Sequence, residues 1–452
     1  MPNPREKAVV EGALTRLALP AMLQGLLFTI VFVVDTMMVS SLGPSAIAAV
    51  GAAGPVIWSI SALLFAFSRA TTALVANSTG AGRLEDAKLS AGQSLFIALA
   101  LGLLSALVFA LCSSFIMLPF NLESEVHSKA ASYLSIVGIA LVFSLPGHVL
   151  KVVFHALGDT RTPLFVGALG NIVNLVGDYL LIFGFLWIPA LGVSGAALAT
   201  AACRVLECIL LLAMFCKKAA CPSLDHVFTI HGPTLRRLFR VAFPAVAEAA
   251  SFHGGYLLFS CLVSWLGTVA LAAHRICLSV EALAFMPATG LAVAAATHTG
   301  QSLGAGRADL AEYGVSHVRK RAAQYMAFVA LCLLLFPELL VYFYTSDALV
   351  YEKAVLCLRI GAFELVSLGL TMALTGALQG AGDTRSPFLI TTFGIWLIRL
   401  PLTGILAISL SLGLPGVWLA TAIDWLIRAL LVNGAIEKGS WKHALAPSLD
   451  AR

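Results

Sequence analysis

The sequence predicts an all-α integral membrane protein of twelve transmembrane helices, arranged as two parallel six-helix repeats around a central cavity. Three observations lead there. Of the 452 residues, 60% are hydrophobic and only 11% charged, with a mean hydropathy of +0.94, which leaves too little charge to cover a soluble domain of this length. Apolar runs of about twenty residues recur along the whole chain, each long enough to cross roughly 30 Å of hydrocarbon as a helix. Identical short motifs return at one fixed separation.

The runs are centred near residues 27, 61, 102, 141, 175, 205, 252, 283, 331, 366, 398 and 427. The first thirteen residues are polar, with Arg5, Glu6 and Lys7. No small-residue cleavage site follows, so the first span reads as a retained helix. With twelve spans, Lys217, Lys218, Arg236, Arg237, Arg240, Arg307, Arg319, Lys320 and Arg321 collect on one side, while Lys129 and Lys353 lie on the other. The positive-inside rule then places both termini in the cytoplasm; the expected location is the cytoplasmic (inner) membrane, as a multi-pass protein. The net charge of +5 comes from this fringe, so it is not read as a nucleic-acid footprint.

Comparing the chain with itself pairs Pro20 with Pro244, Gly43 with Gly267, Gly80–Arg83 (GAGR) with Gly304–Arg307, Gly158–Arg161 (GDTR) with Gly382–Arg385, Pro163 with Pro387, and Gly192 with Gly416. Every pair is 224 residues apart, the signature of an internal duplication. Six spans per copy is an even number, so both copies enter and leave on the same side and the repeats are parallel. The division expected is 1–216 for the N-lobe with the cation site, 217–240 for a cytoplasmic linker, 241–438 for the C-lobe and 439–452 for a cytoplasmic tail. Glycine lets the GAGR and GDTR loops turn tightly, and Asp159 and Asp383 are placed to cap the helices that follow.

The chemistry gathers at residues 171–185, where Asp178 sits deep in an apolar span. A carboxylate at that depth costs roughly 2.5–3.5 kcal/mol on insertion scales and usually faces a bundle interior or an ion path. Asn171, Asn174 and Asp178 share one helical face by their i, i+3, i+7 spacing, and Asp35 in the first span is the expected partner. The second copy carries Phe259, Ile398 and Leu402 at the positions of Asp35, Asn174 and Asp178, so the acidic cluster belongs to the first half alone. Gln24, Phe28, Phe32 and Asp35 follow one face of the first helix, so that helix can join the ion site to a substrate cavity. Arg204 with Glu207 and Arg428 with Asp424 are spaced as ion pairs within one helix. The nine cysteines show no paired spacing and read as inert thiols. No phosphate-binding loop, metal motif or nucleophile elbow is present.

Together LALP…VVDTMMVSSLG at Leu17–Gly43, GAGR, ALGDTRTPL at Ala156–Leu164, GNIVNLVGDYLLIFG at Gly170–Gly184, LGVSGAALAT at Leu191–Thr200 and QGAGDTRSPF at Gln379–Phe388 resemble the multidrug and toxic compound extrusion (MATE) family, in its DinF-like or a related prokaryotic branch. The resemblance implies two six-helix lobes around a central cavity, no enzymatic reaction, no cofactor, and export of amphiphilic, often cationic drugs or metabolites by antiport with H⁺ or Na⁺. It carries a cation role to Asp35, Asn174, Asp178 and Thr200, with Na⁺ possible at the first three, and a hinge role to Pro20. Other branches hold acids on spans 7 and 10; here Glu248 and Glu364 lie on those spans and are assigned to the substrate cavity.

On this reading, cation entry neutralises Asp35 and Asp178, the first helix bends at Pro20, and substrate leaves outward. The partners implied are small molecules and the bilayer, without nucleic acid, and a monomer suffices. Two rivals stand beside it. An intramembrane aspartyl protease also holds two membrane aspartates, but no GxGD-type signature is present. A flippase for a lipid-linked precursor needs basic residues for a diphosphate, for which Arg204, Arg399 and Arg428 are candidates.

Overall fold

The computed structural model describes residues 2–185 and 189–445; the part of the expected tail from residue 446 onward lies outside the described residues. Among the described residues, twelve long helical elements follow in order, with shorter helices such as Leu224–Phe228 and Pro337–Tyr342 between them. The first six are α1 Pro4–Ser40, α2 Pro44–Gly80, α3 Leu84–Phe120, α4 in two pieces Ser124–Ile139 and Leu141–Ala156, α5 Arg161–Phe183 and α6 Val193–Phe215. The next six are α7 Gly232–Ser264, α8 Thr268–Gly304, α9 Ala308–Leu335, α10 Ala348–Gly380, α11 Arg385–Ser409 and α12 Gly413–Lys438. Each of the twelve expected span centres falls on one of these elements. Among the described residues, ten helices are long and apolar enough to cross a membrane, and α4 joins them as a pair bent by 46°.

The duplication is visible in the backbone. Positive φ recurs at Gly43 and Gly267 (96° and 91°), Gly82 and Gly306 (68° and 71°), and Gly158 and Gly382 (88° and 87°). At GAGR the Arg83 and Arg307 amides each reach back five residues, to Ser78 O and Ser302 O, both at 2.9 Å. At GDTR the Asp159 and Asp383 amides do the same, to Phe154 O and Leu378 O at 2.9 Å. These are helix-terminating motifs in which the preceding glycine must be left-handed. The aspartates then start the next helix: Thr162 N donates to Asp159 Oδ1 and Ser386 N to Asp383 Oδ1, both at 3.0 Å. The capping expected from sequence is therefore present in both copies.

The chain forms two compact units, Leu26–Arg240 and Met1–Gly25 with Val241–Arg452. The sequence division kept residues 1–216 together and set 217–240 apart, whereas compactness groups the first turns of α1 with the second repeat and residues 217–240 with the first. The reason is local packing. Val10, Leu14, Leu17 and Ala18 are buried in one core with Leu291, Ala294 and Ala295 of α8. Glycines bring the two backbones together, since a Cβ on Gly25 would stand 2.4 Å from Met286 O and one on Gly290 would stand 2.3 Å from Met22 N.

In the unit Leu26–Arg240, one core gathers Val75, Ala91, Val153, Phe154, Val166 and Phe215, and another gathers Ala53, Phe109, Leu134 and Leu141. The bend in α4 lies between these. Phe109 fills the space above Gly138, where a Cβ would meet its Cγ at 2.3 Å, and the Leu141 carbonyl rests on Gly102 at 3.0 Å from a Cβ position. In the other unit α10 is the central helix, with 61% of its most apolar window buried. It packs on α8 through Gly376 and Gly380, whose Cβ positions lie 2.5 and 2.1 Å from Ala292 O and Ala296 O. Small residues of this kind let membrane helices approach closely where apolar burial alone gives no drive. α11 is wound as π-helix over Phe393–Arg399 and Gly404–Ser409, a local widening often found at functional positions.

Candidate functional site

In the unit Leu26–Arg240, α1 and α5 bring Asp35 and Asp178 together, with the two carboxyl groups within hydrogen-bonding reach of each other. Asp178 is 2% exposed and Asn174, one turn earlier on α5, is 6% exposed. Asp35 is half-buried. Asp35 Oδ1, Asp178 Oδ2 and Asn174 Nδ2 are buried with no hydrogen-bond partner among the described residues. Unsatisfied buried polar atoms are costly and rare in folded proteins, so a cluster of three is a reason to look for a ligand. The i, i+4 spacing of Asn174 and Asp178 on one face of α5 explains how the sequence delivers both to this point.

Tyr133 on α4 lies close enough to both carboxyl groups to interact with them electrostatically. It packs with Val39, Ile182 and Val193 around the site. Arg204 of α6 is within electrostatic range of Asp35, and its Nη1 donates to Glu207 Oε2 at 2.7 Å. Glu207 in turn leans on α5, where a Cβ at Gly170 would meet its Oε1 at 2.9 Å. Thr200 lies half-buried one turn before Arg204 on α6. Phe28 contacts Trp58 of α2 with ring centroids 6.0 Å apart, and Phe32 is 64% exposed. Gln24 and Pro20 belong to the part of α1 that packs with the second repeat.

The second repeat holds a different set of buried charges. Glu364 of α10 is 2% exposed and within hydrogen-bonding reach of Glu281 on α8. Glu248 of α7 accepts from Gln379 Nε2 at 3.3 Å and Thr391 Oγ1 at 3.2 Å. Asp424, fully buried, receives Arg399 Nε at 2.7 Å on Oδ2, Arg428 Nε at 2.7 Å on Oδ1 and Arg428 Nη2 at 2.8 Å on Oδ2. Both guanidinium groups also lie over the Trp425 ring, 5.3 and 4.9 Å from its centroid. Arg399 and Arg428 are thus held by a carboxylate rather than presented to a diphosphate. Among the described residues no group of three His, Cys, Asp or Glu has metal-site geometry.

The matches to known proteins agree with this architecture. The MatE family profile matches residues 20–180 and 244–405, one segment in each repeat. The chain belongs to the MATE family. Like other MATE proteins it is a membrane transporter and not an enzyme. It is 32% identical over 438 residues to the probable multidrug resistance protein NorM of Thermotoga maritima, covering 96% of this chain and 93% of that one. The multidrug resistance protein MdtK of Edwardsiella ictaluri is 30% identical over 93% of both chains. In fold, the chain superposes on an outward-facing multidrug resistance MATE transporter of the MOP superfamily with a TM-score of 0.88, at 23% identity, over 95% of this chain and 96% of that one.

Within this MATE protein, sequence reasoning singled out Asp35, Asn174 and Asp178, and the fold brings the three together. It missed Tyr133, because a single aromatic residue in an apolar span carries no spacing signal. It also missed the pairing of Glu281 with Glu364, which lie on different helices and share no register with the 224-residue repeat.

Proposed function

We propose that this protein exports amphiphilic, often cationic compounds by alternating access of its two repeats, coupled to inward movement of H⁺ or Na⁺ at Asp35, Asn174 and Asp178. The observation that carries the reading is the meeting of Asp35 and Asp178 beside Asn174, with one atom of each buried and unpartnered. A hydrogen bond between two carboxyl groups needs a shared proton, and the oxygens of two facing carboxylates also suit Na⁺, a hard cation that takes oxygen ligands. Either cation removes the repulsion between like charges in a site poor in water. Thr200 completes the candidate set on α6, and Pro20 is the position in α1 at which neutralisation can be relayed as a bend, because it interrupts the ladder of backbone hydrogen bonds. Gln24, Phe28 and Phe32 extend the same face of α1 toward substrate. Glu248 and Glu364 contribute carboxylates in the second repeat. The relatives named for multidrug resistance support the substrate class.

The driving force is sufficient. One charge moving inward across about 100 mV releases ~2.3 kcal/mol, and each tenfold substrate gradient costs ~1.4 kcal/mol. A single cation therefore sustains a gradient above tenfold.

The test is dye efflux from vesicles containing the purified protein, driven by an imposed pH gradient or an imposed Na⁺ gradient. Efflux of a cationic dye under one of the two supports the reading and names the cation. Transport of a lipid-linked diphosphate with no dye movement under either gradient overturns it in favour of a flippase.

A further inference from the structure

The unit that contains the second repeat holds a cavity of about 700 Å³ that the transport reading leaves unused. Its wall includes Glu11 of α1, His317, Arg319, Lys320 and Arg321 of α9, and Asn433 of α12. The wall is basic: Arg319, Lys320 and Arg321 stand against a single acid, Glu11, which is within electrostatic range of Lys320 and Arg321. Glu11, its one acid, already receives the Tyr313 hydroxyl at 2.5 Å and lies 3.6 Å from His317. Arg319 reaches Asn433 Oδ1 at 3.4 Å, and Arg321 contacts His317 Nε2 and Gln324 Oε1 at 3.3 and 3.5 Å. Among the described residues none of Arg319, Lys320 and Arg321 forms an ion pair with a carboxylate. Three cations facing one carboxylate that already accepts the Tyr313 hydroxyl leave an excess of positive charge beside a space of this size, which calls for a further anion.

Position along the helix narrows its chemistry. Residues 322–335 of α9 carry no charged side chain, so the helix turns apolar directly after the triplet. With α9 as the ninth of twelve spans, the start of its apolar stretch puts the three cations at the level of lipid phosphates, where basic pockets between helices bind phosphate headgroups.

The internal repeat shows that the scaffold does not require this basic wall. The first-repeat counterparts of Arg319, Lys320 and Arg321 are Leu95, Phe96 and Ile97, and those of Ser316 and His317 are Gly92 and Gln93. In the first repeat the corresponding spot is filled by chain. Gln93 Nε2 donates to His226 O at 2.8 Å and Thr229 O at 3.0 Å, His231 N donates to Gln93 Oε1 at 3.2 Å, and a Cβ on Gly92 would stand 2.5 Å from His226 O. In the second repeat Ser316 and His317 line a cavity instead.

We propose that the cavity at Arg319–Arg321 binds a phosphate-bearing anion, supplied either as the headgroup of an anionic phospholipid or as soluble phosphate. Bidentate guanidinium contacts from Arg319 and Arg321 match the geometry of phosphate oxygens, and Lys320 adds a point charge.

The experiment uses the full-length protein in detergent, titrated separately with phosphatidylglycerol, phosphatidylcholine and inorganic phosphate. Binding is read by native mass spectrometry and by the shift of the melting midpoint. Phosphatidylglycerol is expected to bind the wild type, with affinity falling at least fivefold in the triple variant Arg319→Gln, Lys320→Gln, Arg321→Gln. The double variant Arg236→Gln, Arg237→Gln, on exposed bases of α7, is expected to leave binding unchanged. Binding of inorganic phosphate alone, with the same dependence on the triplet, supports the site and assigns it a soluble ligand. Wild-type affinity in the triple variant, an equal loss in the α7 variant, or binding of phosphatidylcholine as tight as that of phosphatidylglycerol overturns the proposal. Should the triple variant not fold, Lys320→Glu decides: Lys320 is exposed, and an unchanged phosphatidylglycerol affinity in that variant is equally fatal.

Discussion

Arg399 Nε donates to Asp424 Oδ2 at 2.7 Å, in the interior of the second repeat, where Asp424 is fully buried and also holds Arg428. The counterparts of these two residues in the first repeat are Leu175 and Thr200, and the counterpart of Arg428 is Arg204, which turns to Glu207 instead. One scaffold therefore carries a built-in ionic lock in its second copy and an open carboxyl pair in its first.

Removing one partner of a buried ion pair leaves the other charge uncompensated, at a cost of about 3–5 kcal/mol. Asp424→Ala is accordingly expected to lower the melting midpoint of the purified protein sharply, because it strands two guanidinium groups at once. Arg204→Gln, whose side chain is 35% exposed, is expected to shift it far less. Equal midpoints for the wild type and Asp424→Ala, measured by thermal scanning fluorescence, contradict a structural role for the network.

The contact of α1 with α8 rests on two glycines. Gly25→Ala and Gly290→Ala each place a methyl group against main chain, at 2.4 Å from Met286 O and 2.3 Å from Met22 N, so the helices must move apart. Overpacking of this kind costs about 1–3 kcal/mol. Gly254→Ala, whose Cβ position lies 3.8 Å from the Trp396 ring, is the matched control and is expected to leave the midpoint unchanged or slightly raised. The readout is the melting midpoint of the three variants side by side.

Much of this was legible in the sequence, because the signals were periodic. The run lengths give the spans, the 224-residue register gives the duplication, and the i, i+4 spacing of Asn174 and Asp178 places both on one face. What the sequence hid depends on contacts between distant segments. Nothing local marks Tyr133 as a neighbour of Asp35 and Asp178. The 46° break in α4 comes about one and a half turns before Pro146, which kinks the turn preceding it, and its packing, Phe109 against Gly138, joins segments far apart in sequence. The first turns of α1 read as part of their own repeat until Val10, Leu14 and Leu17 are seen buried with α8.

Asp159 supplies a pH dependence outside the membrane. Burial raises its pKa, but the Thr162 amide and hydroxyl and the Lys218 ammonium outweigh this and hold it below the usual carboxylate value. A group with a depressed folded pKa contributes stability above its unfolded pKa, near 3.9, and loses it as pH falls through the folded value. The carboxylate is partly exposed, so the contribution is below about 1 kcal/mol. Asp159→Asn is expected to melt slightly earlier than wild type at pH 7, with the gap closing as pH falls through the depressed folded pKa of Asp159. A constant gap across that range contradicts the assignment.

Tyr133→Phe tests whether the hydroxyl assists the carboxyl pair. Removing a hydroxyl that interacts electrostatically with both carboxyl groups, at about 0.5–1.5 kcal/mol, raises the cation concentration for half-maximal efflux by roughly two- to thirteenfold, with the melting midpoint unchanged. An unaltered cation dependence removes Tyr133 from the site.

The central claim is that Asp35 and Asp178 form the coupling site, and cation binding to the purified protein tests it most directly. Calorimetric titration with Na⁺ at fixed pH, paired with proton uptake measured on acidification, is expected to show saturable binding of one of the two cations to wild type. That binding is expected to vanish in Asp35→Asn and in Asp178→Asn while their melting midpoints stay near wild type. Wild-type cation binding in both variants places the coupling site elsewhere and contradicts the account.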